Sequence, residues 1–356
     1  MAIVAETYSF VIGVDTHART HTFVSLQSLT SAVLATATFP ATATGTRRAM
    51  DWVGRRTGGD TDTLVVVEGI GSYGAQVAKS ARQAGYPVAE PAPVAPGLRR
   101  GLGKSDELDA QLIARSVLGV PTARLRHPRQ DEGIRAALRV LVVAREEINI
   151  ERTRAINALT ALTRTVDLGI DARGSLSRQQ ITTIAAWRAR REDLTTATAR
   201  REAIRLARRI SSCERELADN RRELTRLVQT SDGAGLLDET GVGAVNAAVI
   251  LTGWSHHGRI HSEAAFAAIT GTCPIPASTG NTTRHRLNRG GDRRLNRALS
   301  SIALTRMSHD PATRAYVTRR RAQGRTTKEI RRSLKRYIAR QLYRRLTSSP
   351  AHAIAA

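Results

Sequence analysis

Apolar residues fall into two kinds of pattern along this chain, and the change comes near Asp131. Before it, short apolar runs alternate with helical spacing. Phe10-Val11-Ile12-Gly13-Val14-Asp15 reads as a buried strand ending in a carboxylate. Thr22 to Leu26 and Ala32 to Phe39 read as two more strands, the first with period-2 alternation. Thr46 to Arg56 spaces Met50, Trp52 and Val53 as a helix face would. Thr63 to Glu68 is a continuous apolar run ending in a second carboxylate, which fits a central strand covered on both faces. Ser72 to Ala84 is helical, Pro87-Val88-Ala89 is a last short strand, and Leu98 to Leu118 is basic and then helical.

After Asp131 long helical pattern runs to about Thr230, broken near Gly169 to Gly174. Ala203, Leu206, Ile210, Cys213, Leu217, Asn220, Leu224 and Leu227 alternate spacings of three and four, an a/d seam with Arg and Glu on its flanks. Asn220 at a seam position would fix register or partner number. Such a seam serves equally an intermolecular coil or an antiparallel hairpin within one chain. Ser231 to Gly241 is a linker, a helix follows from Ala244 to Thr252, and a very basic helical tail runs from Thr313 to Leu346. Thr240-Gly241-Val242-Gly243 before that helix could hold a phosphate on backbone N–H groups. The expected division is an α/β domain at 1–125, a helical coiled-coil and dimerisation region at 126–232, and a mostly helical domain at 233–356.

Charge narrows the partner. Lys+Arg number 55 against 31 Asp+Glu, a formal +24, so a polyanion is expected. Nearly all of this charge is Arg; the lysines are Lys79, Lys104, Lys328 and Lys335. Aromatics are 4%, so the cores must be aliphatic. Two cysteines exclude a disulfide framework and a Cys-rich zinc site. The first residues lack the basic segment of a signal peptide, and no apolar run reaches the roughly 18 residues of a membrane span. A cytoplasmic, nucleic-acid-binding protein is expected, with no membrane partner.

The order of three strands, helix, strand, helix, strand, helix is that of an RNase H-like domain. In such a sheet Asp15 and Glu68 end neighbouring strands. Asp106 and Asp109 open a helix that Ser105 would cap, and their i,i+3 spacing puts them on one face. Singly, an Asp after a strand or at a helix start serves a turn or the helix dipole. Four carboxylates brought together repel unless a cation neutralises them, and Mg²⁺ is the natural occupant, with Mn²⁺ as a substitute. His17 and His21 read as polar strand-end residues rather than ligands.

A second constellation lies at 271–297. Ser278-Thr279-Gly280 follows Pro276, and Arg284, His285, Arg286, Arg289, Arg293, Arg294 and Arg297 come after it. A hydroxyl attacking a phosphodiester needs activation and fixed cations around the phosphorus, and Arg matches phosphate bidentately. Taken alone, the same loop could bind phosphate without attacking it. Arg284 to Arg345 holds 20 Lys/Arg against three carboxylates, and with Lys104 these basic groups are the candidate nucleic-acid contacts.

Three segments resemble the DEDD, RuvC-like domain of the insertion-sequence one-ten transposases, the bridge-RNA-guided recombinases. They are Ile12 to Thr16, Val67 to Tyr73 and Lys104 to Ala110. Leu236 to Gly243, Phe266 to Gly271, Ser278-Thr279-Gly280 and Arg284 to Arg297 resemble that family's C-terminal transposase domain. The resemblance spans nearly the whole chain and implies a bacterial, nucleoid-associated enzyme. Asp15, Glu68, Asp106 and Asp109 would bind Mg²⁺, and a C-terminal serine would form a covalent phosphoserine intermediate. A bridge RNA would pair with donor and target double-stranded DNA, and dimers would pair into a tetramer on DNA. Aligned on Gly280, the family's nucleophilic serine falls on Thr279. A primary hydroxyl attacks phosphorus with less crowding, which favours Ser278 one residue earlier. The competing expectation is a Holliday-junction resolvase-like nuclease that uses water.

Overall fold

A short helical turn, α1 (Val4–Thr7), leads into a five-stranded sheet. The computed structural model describes residues 2–92, 105–129, 132–277, 285–286 and 288–348, and the chain divides into two compact units, 1–130 and 131–356.

In the first unit β1 (Phe10–Thr16), β2 (Thr20–Gln27) and β3 (Val33–Pro40) form an antiparallel meander. After α2 (Ala43–Thr57), β4 (Thr63–Val67) pairs parallel with β1. After α3 (Ala75–Gln83), β5 (Val88–Ala89) pairs parallel with β4. The sheet order is β3-β2-β1-β4-β5, followed by α4 (Asp106–Arg115). Each expected strand and helix is present with ends shifted by a few residues, and Glu68 lies one residue beyond β4.

Strand alternation builds two cores. Ile12, Val14, Phe23, Val65 and Val67 face Trp52 and Val53 of α2 and Val77 and Ala81 of α3. Val11, Val24, Leu26, Leu64 and Val66 face Ala110, Ile113 and Ala114 of α4. Both faces of β4 are therefore covered, which is why its sequence is apolar without alternation. Gly13 decides how close α4 comes. A Cβ there would lie 2.1 Å from the Ala110 carbonyl oxygen and 2.8 Å from the Ala114 Cβ, so only glycine lets this helix rest on β1.

The second unit is helical. α5 (Gly133–Thr165), α6 (Arg178–Ala185) and α7 (Leu194–Gln229) come first. α8 (Ala244–Trp254), α9 (Glu263–Ile269), the ribbon β6 (Ile275–Pro276) and β7 (His285–Arg286), α10 (Arg293–His309), α11 (Pro311–Ala322) and α12 (Thr327–Thr347) follow. The a/d seam of α7 is used within the chain, against α5 running antiparallel. Leu159 of α5 shares a core with Ala203 and Ile210, and Leu138 shares one with Leu224 and Leu227. Arg209 pairs with Glu151, and Arg152 reaches Glu214. The hairpin alternative thus accounts for the seam, and the seam itself leaves no apolar stripe for a second copy. Asn220 sets the register: its amide donates to the Leu141 carbonyl at 2.9 Å, and its oxygen accepts from Arg145 at 3.3 Å.

The expected boundary at residue 232 is not a boundary of packing. Leu138, Val142, Leu224 and Val228 belong to the same core as Trp254, Phe266, Ile302 and Ile338, so the middle helices and the C-terminal helices form one unit. Trp254 meets both Phe266 and the partly buried Tyr343 edge-on in this core.

Candidate metal centre and arginine-rich segment

Asp15 is the penultimate residue of β1 and pairs with Thr22 of β2, so its side chain leaves the sheet on the α4 side. It is 5% exposed. Ser105 caps α4 as expected, accepting from the Leu108 N–H at 3.3 Å. The close seat of α4 at Gly13 brings the first turn of that helix, with Asp106 and Asp109, beside the end of β1. His17 completes the group. Its Nε2 lies 3.0 Å from Asp15 Oδ2 and 3.5 Å from Asp106 Oδ1. One ligand atom from each of Asp15, His17 and Asp106 lies within 4.8 Å of the others.

Burial pushes the Asp15 carboxyl above the ordinary carboxylate range; His17 opposes this, and the like charges of Asp109 and Asp106 add to it. The site therefore gathers negative charge around one buried carboxylate, and a divalent cation would relieve it. The donor set of carboxylate oxygens with one imidazole nitrogen fits Mg²⁺ and, because of the nitrogen, Mn²⁺ as well. Glu68 lies at the same sheet edge: its N–H donates to the Val14 carbonyl and its carbonyl accepts from Thr16 Oγ1 at 3.0 Å. It is exposed, and its carboxylate is not among the three clustered groups.

Sequence reading set His17 aside, yet it touches two of the four acids. Its separation from Asp15 by one residue was the available signal; that alternation continues past the strand end only because His17 N–H bonds the Thr20 carbonyl and tightens the turn. His21 is not in that group. It is buried, Nδ1 has no partner among the described residues, and burial lowers its pKa below the ordinary 6.5.

In the second unit, Ser278, Thr279 and Arg284 lie outside the described residues, as does Lys104 in the first. The ribbon around them is described. His285 and Arg286 pair with Pro276 and Ile275 and are exposed, as is Arg289. Arg293, Arg294 and Arg297 lie on the first turns of α10, whose N-cap Asp292 accepts from the N–H groups of Arg294 and Leu295. Glu146 of α5 takes two of these arginines, Arg294 at 2.7 Å and Arg297 at 3.3 Å. Those two are thus partly neutralised within the chain, which the sequence did not suggest.

The two ends of this segment are clamped together. A Cβ at Gly291 would lie 2.3 Å from the Gly271 nitrogen, and Gly271 itself has φ +66°. Asn296 donates to the Thr270 carbonyl at 2.8 Å, and the buried Lys335 donates to Asn296 Oδ1 at 2.8 Å. Asn288 reaches the Ala268 carbonyl and Cys273 Sγ. In sequence these polar residues are lost among arginines; only the fold distinguishes them.

Comparison with known proteins covers both constellations. Residues 12–166 match a transposase family profile of the DEDD IS110 type, which contains all four acids. Residues 235–318 match the transposase IS116/IS110/IS902 family, which contains the arginine-rich segment. The chain belongs to the IS110 family of transposases. Among IS110-type relatives it is similar to the insertion element IS900 uncharacterized 42 kDa protein of Mycobacterium paratuberculosis. They are 28% identical over 277 residues, 65% of this chain and 68% of that protein. It is also similar to the insertion element IS110 uncharacterized 43.6 kDa protein of Streptomyces coelicolor. There the identity is 37% over 87 residues, 24% of this chain and 22% of that protein. Membership of the IS110 family implies cleavage and transfer of DNA strands. Among the described residues no helix is long and apolar enough to cross a membrane.

Proposed function

We propose that this IS110-family transposase cuts and rejoins DNA by Mg²⁺-dependent transesterification through a serine, guided by a structured RNA. The observation that carries the reading is the convergence of Asp15, His17 and Asp106 from segments about ninety residues apart, on a sheet edge otherwise built from apolar strands. Asp15 and Asp106 would hold the cation, and in this reading Asp109 and Glu68 join them. The cation would supply charge stabilisation at the phosphate oxygens.

The attacking group in this reading is Ser278, with Thr279 the alternative. The hydroxyl oxygen forms a bond to phosphorus, the bridging ester oxygen leaves with a proton, and the free DNA end later reverses the step on a new strand. Exposed Arg286, Arg289 and Arg293 supply positive charge shortly after the loop in sequence. The formal charge of +24 and scarcity of aromatics suit a protein that binds backbone and leaves sequence choice to base pairing with a bridge RNA. The substrates are donor and target DNA in the bacterial cytoplasm, and the working form is a dimer that pairs into a tetramer on DNA.

A denaturing gel tests this. Wild type, Ser278→Ala, Thr279→Ala and Asp109→Asn are incubated with the element's RNA, labelled donor and target DNA, and Mg²⁺. A protease-sensitive protein–DNA adduct is expected in wild type, lost in Ser278→Ala and in Asp109→Asn while RNA binding persists. Cleavage without an adduct in any lane would replace this reading with a water-using, resolvase-like nuclease.

A further inference from the structure

The twelfth helix carries an exposed tyrosine that the core does not use. In a chain whose aromatics are 4% of residues, Tyr337 is 55% exposed, and only Tyr73 of the first unit is comparably exposed among the described residues. Its ring stands edge-on to Tyr316 of α11, with centroids 6.2 Å apart at 85°. Tyr316 in turn packs on the unit's main core, and the Arg319 guanidinium lies 5.6 Å from its ring centre. Tyr316 thus braces Tyr337 from the side and leaves a face of the outer ring open to solvent.

The local carboxylates offset only part of the surrounding charge. Glu329 pairs with Arg325, Glu263 takes both Arg336 and Arg340, and Asp238 takes Arg345. Asp310 caps α11. Arg319, Arg332 and Arg344 are exposed and form no ion pair among the described residues. Arg344 follows Tyr337 by seven residues, two helical turns along the same side of α12. A braced aromatic face flanked by free guanidinium groups at helical spacing is the arrangement that stacks a base and holds the adjoining phosphates. An apolar protein partner would be repelled by neither group, but it would leave the free charges buried and unpaired.

We infer that the Tyr316–Tyr337 pair and its free arginines form a docking surface for single-stranded DNA, with an unpaired base stacked on Tyr337. This rests on the proposed function, in which strand exchange leaves DNA unpaired, and adds a specific place for that strand. Duplex DNA would contact the arginines alone, since its bases are already stacked.

The test uses the full chain and fluorescence anisotropy with three labelled probes of one sequence: single-stranded DNA, the same strand in a duplex, and single-stranded RNA. Tyr337→Ala is expected to weaken single-stranded DNA binding by about 5- to 150-fold. Duplex affinity should stay within about twofold, and Tyr337→Phe should bind as wild type. Removing an exposed side chain leaves the core packing intact, and an unchanged melting temperature verifies this. Unchanged single-strand affinity in Tyr337→Ala, an equal loss on duplex, or a loss confined to RNA would each overturn the inference. A wild-type chain that bound none of the probes would instead overturn the proposed function.

Discussion

The long helix α7 and the paired helices α11 and α12 are both arginine-rich, and they pair arginine with acids to different extents. On α7 five of the nine arginines have an acid partner among the described residues, against three of the ten on α11 and α12. Arg205, Arg222 and Arg226 each pair with an acid three residues earlier, and Arg209 crosses to Glu151 of α5. Arg200 is buried, bound to Glu192 and stacked 4.7 Å over Trp187. On α11 and α12 the few carboxylates are committed and Arg319, Arg332 and Arg344 remain without one. Exposed i,i+3 pairs add little to stability, but they cancel the field that would attract an anion. Arginine content therefore does not locate a nucleic-acid surface; the balance of carboxylates around each arginine does.

Four substitutions would break or sharpen that contrast. The largest effect is expected from Ile210→Ala, at the fully buried middle of the α5–α7 seam. It should lower stability by about 2–5 kcal/mol, measured by urea unfolding, and leave the nucleic-acid affinity of the folded protein unchanged. If affinity fell with it, α7 would have to be counted in the binding surface. Next, Arg332→Gln and Arg344→Gln should leave the melting temperature within a degree of wild type. Each should lessen the slope of log affinity against log salt by about 1, because each removes one released counterion. A normal slope with both changed would show that these arginines are merely solvated. The smallest effect is expected from Glu223→Gln, which frees Arg226 on α7. It should raise non-specific DNA affinity by less than about threefold at low salt, and the gain should vanish at high salt. A drop in affinity would contradict the view that the pairing on α7 shields it.

The metal centre shows where sequence reading stops. Asp15 and the Asp106/Asp109 pair were legible because strand ends and helix caps have strong local signals, and Ser105 caps its helix as its position implied. His17 was not legible, because its role depends on how far β1 and β2 run before the turn. Gly13 was not legible either: its meaning lies in the Ala110 carbonyl 2.1 Å from where a Cβ would be, a contact made by a helix almost a hundred residues away. The partial neutralisation of Arg294 and Arg297 by Glu146 joins positions about 150 residues apart and leaves no local trace.

By itself, the sequence determined the order of strands and helices, the amphipathic seam of α7, the net charge and the kinds of side chain at the candidate site. These follow from local periodicity and composition, which a chain carries whatever its contacts. The tertiary structure alone decided which surface the seam covers, so that one copy satisfies it, and that the middle and C-terminal helices share a core. It also decided which acids meet His17 and which arginines stay free. Those outcomes depend on distances between residues far apart in the chain, set by packing volume and charge pairing rather than by any pattern read along it.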